Sequence, residues 1–523
     1  MSRLDRQARV IALAAIACLA VSSCGSRVVP LSIGTQAPGL PGVPLPGGVP
    51  TGLGGSPLPG ATNGVPGANP SAPPGVPIAK NCKAADTGKE RGVTKTTIKL
   101  GLVASIHGPL PGQFDSAVQA TDSYFDMIND LGGICGRKVQ LLIRDDQGNA
   151  DVDKSVSEEL ATEDKIFSFV GSVAAPHDEG IGDASKKYKI PDIGFPLSSR
   201  RSKSPYTYGV PGQLQDRTIG TGASGTAYLN KRFGIQQVAM FWLDESDVSR
   251  LNAWGFETAM QKVTGGKLKF CYEQRTTVID PSFTQYVINM QSACDPRNGP
   301  VAVYTTMENN SNIKLALAMR DQDFKPAVFA PTLASYLQTF ISQAQGSTEG
   351  AYIALPQIPF EHLNTPQNTW SKGTYSLAAY IQALQRYHPD YVEPGSFGAP
   401  GWGIAQLFTE AAVECGSVLT RTCLLAKLDA MGPFSANGML SPSRPGTHLI
   451  YVLESMVQVK GKRFVEVEHP GVTGPKDLPD FWQTDSQLFD WWGYYCTHSG
   501  DRNGKHYPNY FTNTAQKDRY IHC

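Results

Sequence analysis

The chain has 523 residues, with 46 basic and 46 acidic side chains, 53 glycines and 38 prolines. A balanced charge supplies no basic face to neutralise a phosphate backbone, which excludes nucleic acid as a partner class. The roughly 440 residues outside the low-complexity N-terminal part exceed one ordinary core and predict two lobes.

Arg3, Arg6 and Arg9 precede an apolar stretch, Val10 to Val21, and the small residues Ser22 and Ser23 close it ahead of Cys24. That order predicts a secretory signal over residues 1–23. The run falls well short of the roughly 20 apolar residues a spanning helix needs, so it directs export and does not span. Val21-Ser22-Ser23-Cys24 resembles a bacterial lipobox. The resemblance implies acylation of the Cys24 thiol, which would then be the first mature residue and the membrane anchor. Without the signal's three Arg and one Asp the balance is 43 basic to 45 acidic, a net charge of −2. Residues 24–80, as in GLPGVPLPGGVPTGLGGSPLPG, hold almost no charge and no aromatic ring. Glycine raises the entropic cost of order there and proline removes donors, so the segment predicts a tether with a mean reach on the order of 40 Å. Its glycines keep no three-residue period, which excludes a collagen-like helix.

Of the ten cysteines, Cys18 falls in the signal and Cys24 is the anchor. Eight remain, an even number in a chain routed to an oxidising compartment, which predicts disulfides. Sequence proximity favours Cys271 with Cys294, Cys415 with Cys423, and Cys496 with Cys523, leaving Cys82 with Cys135. No CxxC motif offers a zinc site, and no metal or cofactor is expected.

From Thr97 strand-like and helical runs alternate. IKLGLVAS (98–105) reads as a buried strand, and Asp115 to Leu131 carries Val118, Phe125, Met127, Ile128 and Leu131 at largely helical spacing. KVQLLIRDD and IFSFVGS flank a helix over Val152 to Lys165; IPDIGF follows, then a helix around Asp216 to Phe233. QQVAMFWLD, a helix over Trp254 to Val263, KLKFCYE, a helix over Phe283 to Cys294, and PVAVYTT complete the pattern. Strands separated by such helices predict right-handed βαβ crossovers, hence the α/β class with mostly parallel sheets. Ligand crevices in such sheets lie beyond the carboxyl ends of the strands, which directs attention to the loops there. Two of those loops carry His107 and His177, the latter beside a helix start near Asp178.

IKLGLVASIHGPLPGQF, INDLGGICGRKVQLLIRDDQGNADVDKSVSEEL, FVGSVAAP and IPDIGFPLSS together resemble the leucine/isoleucine/valine-binding family of periplasmic solute-binding proteins, the type 1 fold that serves ABC importers. ANGMLSPSRPGTHLIYVLESMVQVKGKRFVEV is similar to the family's closing strands; the likeness spans roughly Thr97 to Glu468 and is thin from Ser335 to Pro400. The resemblance implies two Rossmann-like lobes, joined by a hinge of three segments, that close on a solute. It divides the chain into lobe I (81–212), lobe II (213–345), a return mainly to lobe I (346–432), closing strands mainly in lobe II (433–468) and an aromatic, disulfide-closed extension (469–523). It places Gln113 and Phe114 against the ligand, Ser172, Ala174 and Ala175 in a carboxylate-receiving loop, and Ser198 beside them. The resemblance sets Asp244 and Ser246 in the loop opening the second lobe's site, with Thr306 and Thr332 at later strand ends, while His177 is a ligand candidate on its own position in a cleft loop beside a helix start. The chain departs from amino-acid binders in Ala174-Ala175-Pro176, where hydroxyls usually stand, and in Val248 and Ser249, which replace a tyrosine-glycine pair. Fewer hydroxyls weaken the case for an α-amino acid and put an amide or a more apolar acid beside it.

Rival chemistries carry less. Gly220 to Gly225 matches GxGxxG, but no strand leads directly into it, so the glycines read as close helix packing and not as a dinucleotide loop. No GxSxG or HExxH motif is present, and Asp145 and Asp146 read as braces of the loop after their strand. The sequence thus predicts no enzyme but a monomeric, lipid-anchored extracytoplasmic receptor. It would hold an amino acid, amide or small organic acid for an ABC importer permease. A ligand sensor or envelope interaction protein on the same fold is the alternative.

Overall fold

A computed structural model describes residues 82–467, except 87, 89, 211–222, 433, 442, 444 and 448–453. The expected signal 1–23, Cys24, the tether 24–80, the extension 469–523 and the Cys496–Cys523 pair lie outside the described residues.

Lobe I opens on β1 (Thr97–Ala104), in which Ile98, Leu100, Leu102 and Val103 are all buried. Apolar residues on both faces demand cover on both faces, which parallel crossovers provide. α1 (Asp115–Asp130), β2 (Lys138–Asp145), α2 (Ala150–Thr162), β3 (Ser168–Val170), α3 (Glu179–Tyr188), β4 (Asp192–Gly194), α4 (Ser199–Ser202) and β5 (Thr207–Gly209) follow. All five strands are parallel, in the order β2-β1-β3-β4-β5. The chain therefore steps outward from β1 in one direction and then in the other, so that a crevice opens between the ends of β1 and β3.

The LGGICGRK turn between α1 and β2 shows why its glycines are needed. Gly133 has φ +78°, and a Cβ there would stand 2.1 Å from the Arg137 carbonyl oxygen. The buried Arg137 side chain donates to the carbonyls of Thr94, Ala85 and Ser417. Cys135 is bonded to Cys82, and Ala84 N donates to Cys135 O at 2.9 Å. The first described residues are thereby fixed to lobe I.

Lobe II consists of α5 (Ala223–Phe233), β6 (Gln237–Leu243), α6 (Asp247–Val263), β7 (Lys269–Thr276), α7 (Thr284–Ala293), β8 (Val301–Thr305), α8 (Asn309–Asp321), β9 (Val328–Ala330), α9 (Gln338–Ser342) and β10 (Tyr352–Leu355). Its parallel sheet has the order β7-β6-β8-β9, with the second switch point between β6 and β8. The chain returns to lobe I with α10 (Lys372–Tyr387), α11 (Gly398–Glu414) and α12 (Arg421–Ala430), whose Leu377, Trp402, Phe408 and Leu424 share a core with Leu100 and Phe125. It ends with β11 (Ser455–Val459), antiparallel to β10, and β12 (Phe464–Glu466), antiparallel to β11. Ile353, Leu355 and Val457 pack into the lobe II core, so the return to lobe I follows Leu355 and not residue 345. The chain thus changes lobe three times.

Cys271–Cys294 joins β7 to the end of α7, and Cys415–Cys423 joins the end of α11 to α12. Gly225 lies in α5, where a Cβ would meet Met456 Cε at 2.7 Å and Ala354 Cβ at 2.9 Å. This glycine of the GxGxxG run serves helix-to-sheet packing. α6 begins seven residues ahead of the expected Trp254, and Asp247 supplies the acid of its first turn.

Candidate functional site

The two switch points face each other across a cavity of about 160 Å³. Leu110, Gln113 and Phe114 reach it from the segment after β1, and Ala175 and Pro176 from the segment after β3. Phe195 to Leu197 follow β4; Leu243, Ser246, Val248, Ser249 and Asn252 come from the end of β6 and the start of α6. Val278, Thr306 to Glu308, and Thr332 to Ala334 close lobe II's side. Phe397, at the start of α11, completes the lobe I wall: its ring centroid is 5.1 Å from that of Phe114 and 5.7 Å from that of Phe195.

A buried ion network holds the lobe I wall. Arg201 is 0 % exposed; its Nε and Nη2 donate to Asp192 at 2.9 and 2.8 Å, and Nη1 donates to Asp178 Oδ2 at 3.1 Å and to Phe195 O at 2.9 Å. Asp178 Oδ2 also accepts from Leu197 N at 2.6 Å. Burial pushes the Asp178 carboxyl up and the Arg201 charge opposes that shift. The network fixes the backbone that presents Phe195, Pro196 and Leu197.

The polar groups of the cavity are largely spent on the protein itself. Gln113 spans the lobes, donating from Nε2 to Ala334 O at 3.1 Å and accepting from Asn309 N at 3.2 Å. Ser249 Oγ donates to Thr306 O and Thr306 Oγ1 to Ser249 O, each at 2.7 Å. Thr332 Oγ1 donates to Met307 O at 3.0 Å, and Ser246 Oγ accepts from Ser249 N at 3.4 Å. Glu308, the one ionisable side chain among the described lining residues, caps α8 through Asn310 N and Ser311 N, and burial raises its pKa. Backbone donors are used as well: Ala175 N to Ser105 Oγ, Val248 N to Leu197 O, Thr306 N to Phe241 O, while Pro176 and Pro196 have none. An ionised carboxylate would find no lysine, arginine or histidine among the described lining residues. The chamber suits an apolar body. Beyond the Gln113 bridge lies a second, more polar space of about 420 Å³, lined by Asp115, Ser116, Asn309 and Glu393 among others.

Of the residues expected at the site, Gln113, Phe114, Ala175, Ser246, Thr306 and Thr332 line the cavity. Ser172, Ala174, His177, Ser198 and Asp244 do not. Ser172 Oγ accepts from Val103 N at 3.1 Å inside the sheet, and Ala174 packs against Leu160 and Ile181. Ser198 caps α4 by accepting from Arg201 N. His177 Nδ1 stands 3.8 Å from Glu179 Oε2, and His107 Nδ1 2.7 Å from Asp145 Oδ2. Asp145 also accepts from the backbone N–H of Ile106, His107 and Gln147, so it does brace its loop. Asp244 faces an outer groove beside Arg275 and Trp254.

A family model described as periplasmic binding protein matches residues 97–460, well over half of the chain. The chain belongs to the periplasmic binding protein family. The binding protein's fold recurs in solved structures of low identity. A fatty acid ABC transporter substrate-binding protein from Thermomonospora curvata is 16% identical with a TM-score of 0.59, covering 77% of this chain and 96% of its own. The branched-chain amino acid binding protein LivJ from Streptococcus pneumoniae, solved with isoleucine, is 17% identical with a TM-score of 0.57, covering 71% and 100%. The leucine-binding protein LivK from Thermotoga maritima is 13% identical with a TM-score of 0.57, covering 71% and 98%. A search of curated proteins finds no match. The type 1 two-lobed architecture and a general role in binding a solute outside the cytoplasm follow from the family.

Phe397, Asn252, Val278 and Leu333 escaped the sequence reading. Phe397 belongs to the stretch where the family likeness is thin. Asn252 was hidden by a helix expected to start at Trp254, whereas α6 begins at Asp247 and turns Val248, Ser249 and Asn252 toward the cleft.

Proposed function

We propose that this binding protein is a lipid-anchored receptor of an ABC importer, held by Cys24 and its Pro/Gly tether, that captures a small and predominantly apolar molecule. The observation that carries the ligand class is the chamber itself: aromatic and aliphatic walls, hydroxyls already bonded to the protein, and no basic side chain among the described lining residues. An α-amino acid brings two charges into a low-dielectric site and needs a partner for each. Glu308 is committed to α8, and no cation is among the described lining residues. A cavity of about 160 Å³ has room for a molecule of roughly benzene to octane size. Closure of the lobes would bury that molecule, and differential affinity for the closed state would shift the population.

A thermal-shift screen of the mature chain tests this, with small apolar and amphipathic molecules set against zwitterionic amino acids and sugars. A ligand at a hundred times its Kd adds about 2.7 kcal/mol of stability. Stabilisation by the apolar set, with the compound recovered unaltered, is the expected result. Stabilisation by zwitterions alone would overturn the ligand class, and turnover of the compound would overturn the receptor role.

A further inference from the structure

One polar side chain in the chamber is not spent. Asn252, on the second turn of α6, is 8% exposed and lines the cavity, and its Oδ1 is buried without a hydrogen-bond partner. Gln113, Ser249, Thr306, Thr332 and Glu308 around the same chamber all bond to other protein groups. Leaving a buried amide carbonyl unpaired is costly, and such a group is an exception that calls for a partner.

We infer that Asn252 is the specificity-determining anchor of the chamber and that it selects an uncharged carboxamide head on an apolar body; this rests on the apolar-solute reading above. A carboxamide complements an asparagine amide on both sides, its N–H donating to Oδ1 and its carbonyl accepting from Nδ2. A carboxylate offers Oδ1 no donor, meets no cation among the described lining residues and is repelled by Glu308. An alkylammonium can donate to Oδ1 but must shed its hydration in a site where the carboxylate among the described lining residues already accepts two backbone N–H bonds. A neutral donor–acceptor head avoids both penalties, and rejection of analogues lacking the matching group is the usual result of a buried hydrogen-bonding site.

The test uses three probes that share one body: hexanamide, hexanoate and hexylamine, titrated calorimetrically at pH 7 into the mature chain and into Asn252→Leu and Asn252→Asp. Wild type is expected to bind hexanamide at least tenfold tighter than the other two. Asn252→Leu should lose at least tenfold for hexanamide with its unfolding midpoint retained, and Asn252→Asp should move the preference toward hexylamine. Equal binding of all three probes by wild type, or undiminished hexanamide affinity in Asn252→Leu, overturns the anchor while leaving the apolar-solute reading in place. Failure of all three to bind wild type overturns both. If Asn252→Leu does not fold, the wild-type ranking and the Asp variant decide the matter.

Discussion

Asp153 lies on the buried face of α2 with no exposure, its Oδ2 accepting from Gly180 N at 2.7 Å. Burial, and then the neighbouring Asp178 and Asp146 carboxyls, push its pKa up to about 8 against the opposing pull of that bond and of Arg201. A carboxyl that keeps its proton to about pH 8 when folded, and releases it near 3.8 when unfolded, makes the folded state the better proton binder in between. Its contribution therefore falls as pH rises through that window and is flat outside it. The slope from this single group is at most about 1.4 kcal/mol per pH unit. Asp153→Asn keeps an oxygen for Gly180 N and removes the titration. The unfolding midpoint of the variant should gain on wild type between pH 4 and pH 8; parallel curves across that range would contradict the assignment. Asp146, raised by burial to about 6, acts in the same direction over a narrower range.

At the scale of elements, the α5 contact with β10 and β11 depends on the missing side chain of Gly225. Gly225→Val inserts three carbons against Met456 and Ala354, and overpacking of that kind costs about 1–3 kcal/mol. Urea unfolding should show it, and an unchanged midpoint would mean that the helix stands farther from the sheet. Most of the alternating strands and helices were legible because buried parallel strands are written as short apolar runs: QVAMFWL and VAVYT are buried throughout and were read as strands. The loop residues at strand ends were partly legible, since the chain must place its crevice there. Thr306 follows from that rule, and Gln113, Phe114 and Thr332 from the family resemblance, whereas Ser172 and Ser198 fall in the strand-end loops with their hydroxyls turned to backbone donors. Sequence position states where a residue stands but not which way its oxygen points. The ion network of Arg201 was not legible at all, because Asp178, Asp192 and Arg201 come from three separate segments and read like surface charges.

At the scale of the whole molecule, several polar contacts among the described residues join the lobes, the bond from Gln338 N to Glu393 Oε2 at 2.8 Å among them. Besides the Gln113 bridge, Asp247 Oδ2 accepts from Ser199 N at 3.1 Å and Ser199 Oγ at 2.6 Å, and Val248 N donates to Leu197 O at 3.0 Å. Burial raises the Asp247 carboxyl, but the two bonds from Ser199 together with the Arg250 and Lys203 charges outweigh it and hold the group below its ordinary pKa. Hydrogen bonds to a charged group contribute about 1.5–3 kcal/mol each. Asp247→Ala should shift the unliganded protein toward an open form, read as a larger radius of gyration in small-angle scattering. An unchanged radius would show that the remaining contacts suffice.

Each of the three described disulfides lies within one lobe. Oxidation therefore stiffens the halves and leaves their relative swing untouched. Cys82–Cys135 has a mechanical consequence too. A pull arriving along the chain from the N-terminal side enters lobe I through the covalent bond to Cys135, at the α1–β2 turn, and bypasses β1 fifteen residues further on. Strand β1 is thus shielded from being peeled out of its sheet, and lobe II, which bears none of the load, stays free to open and close while its partner is held.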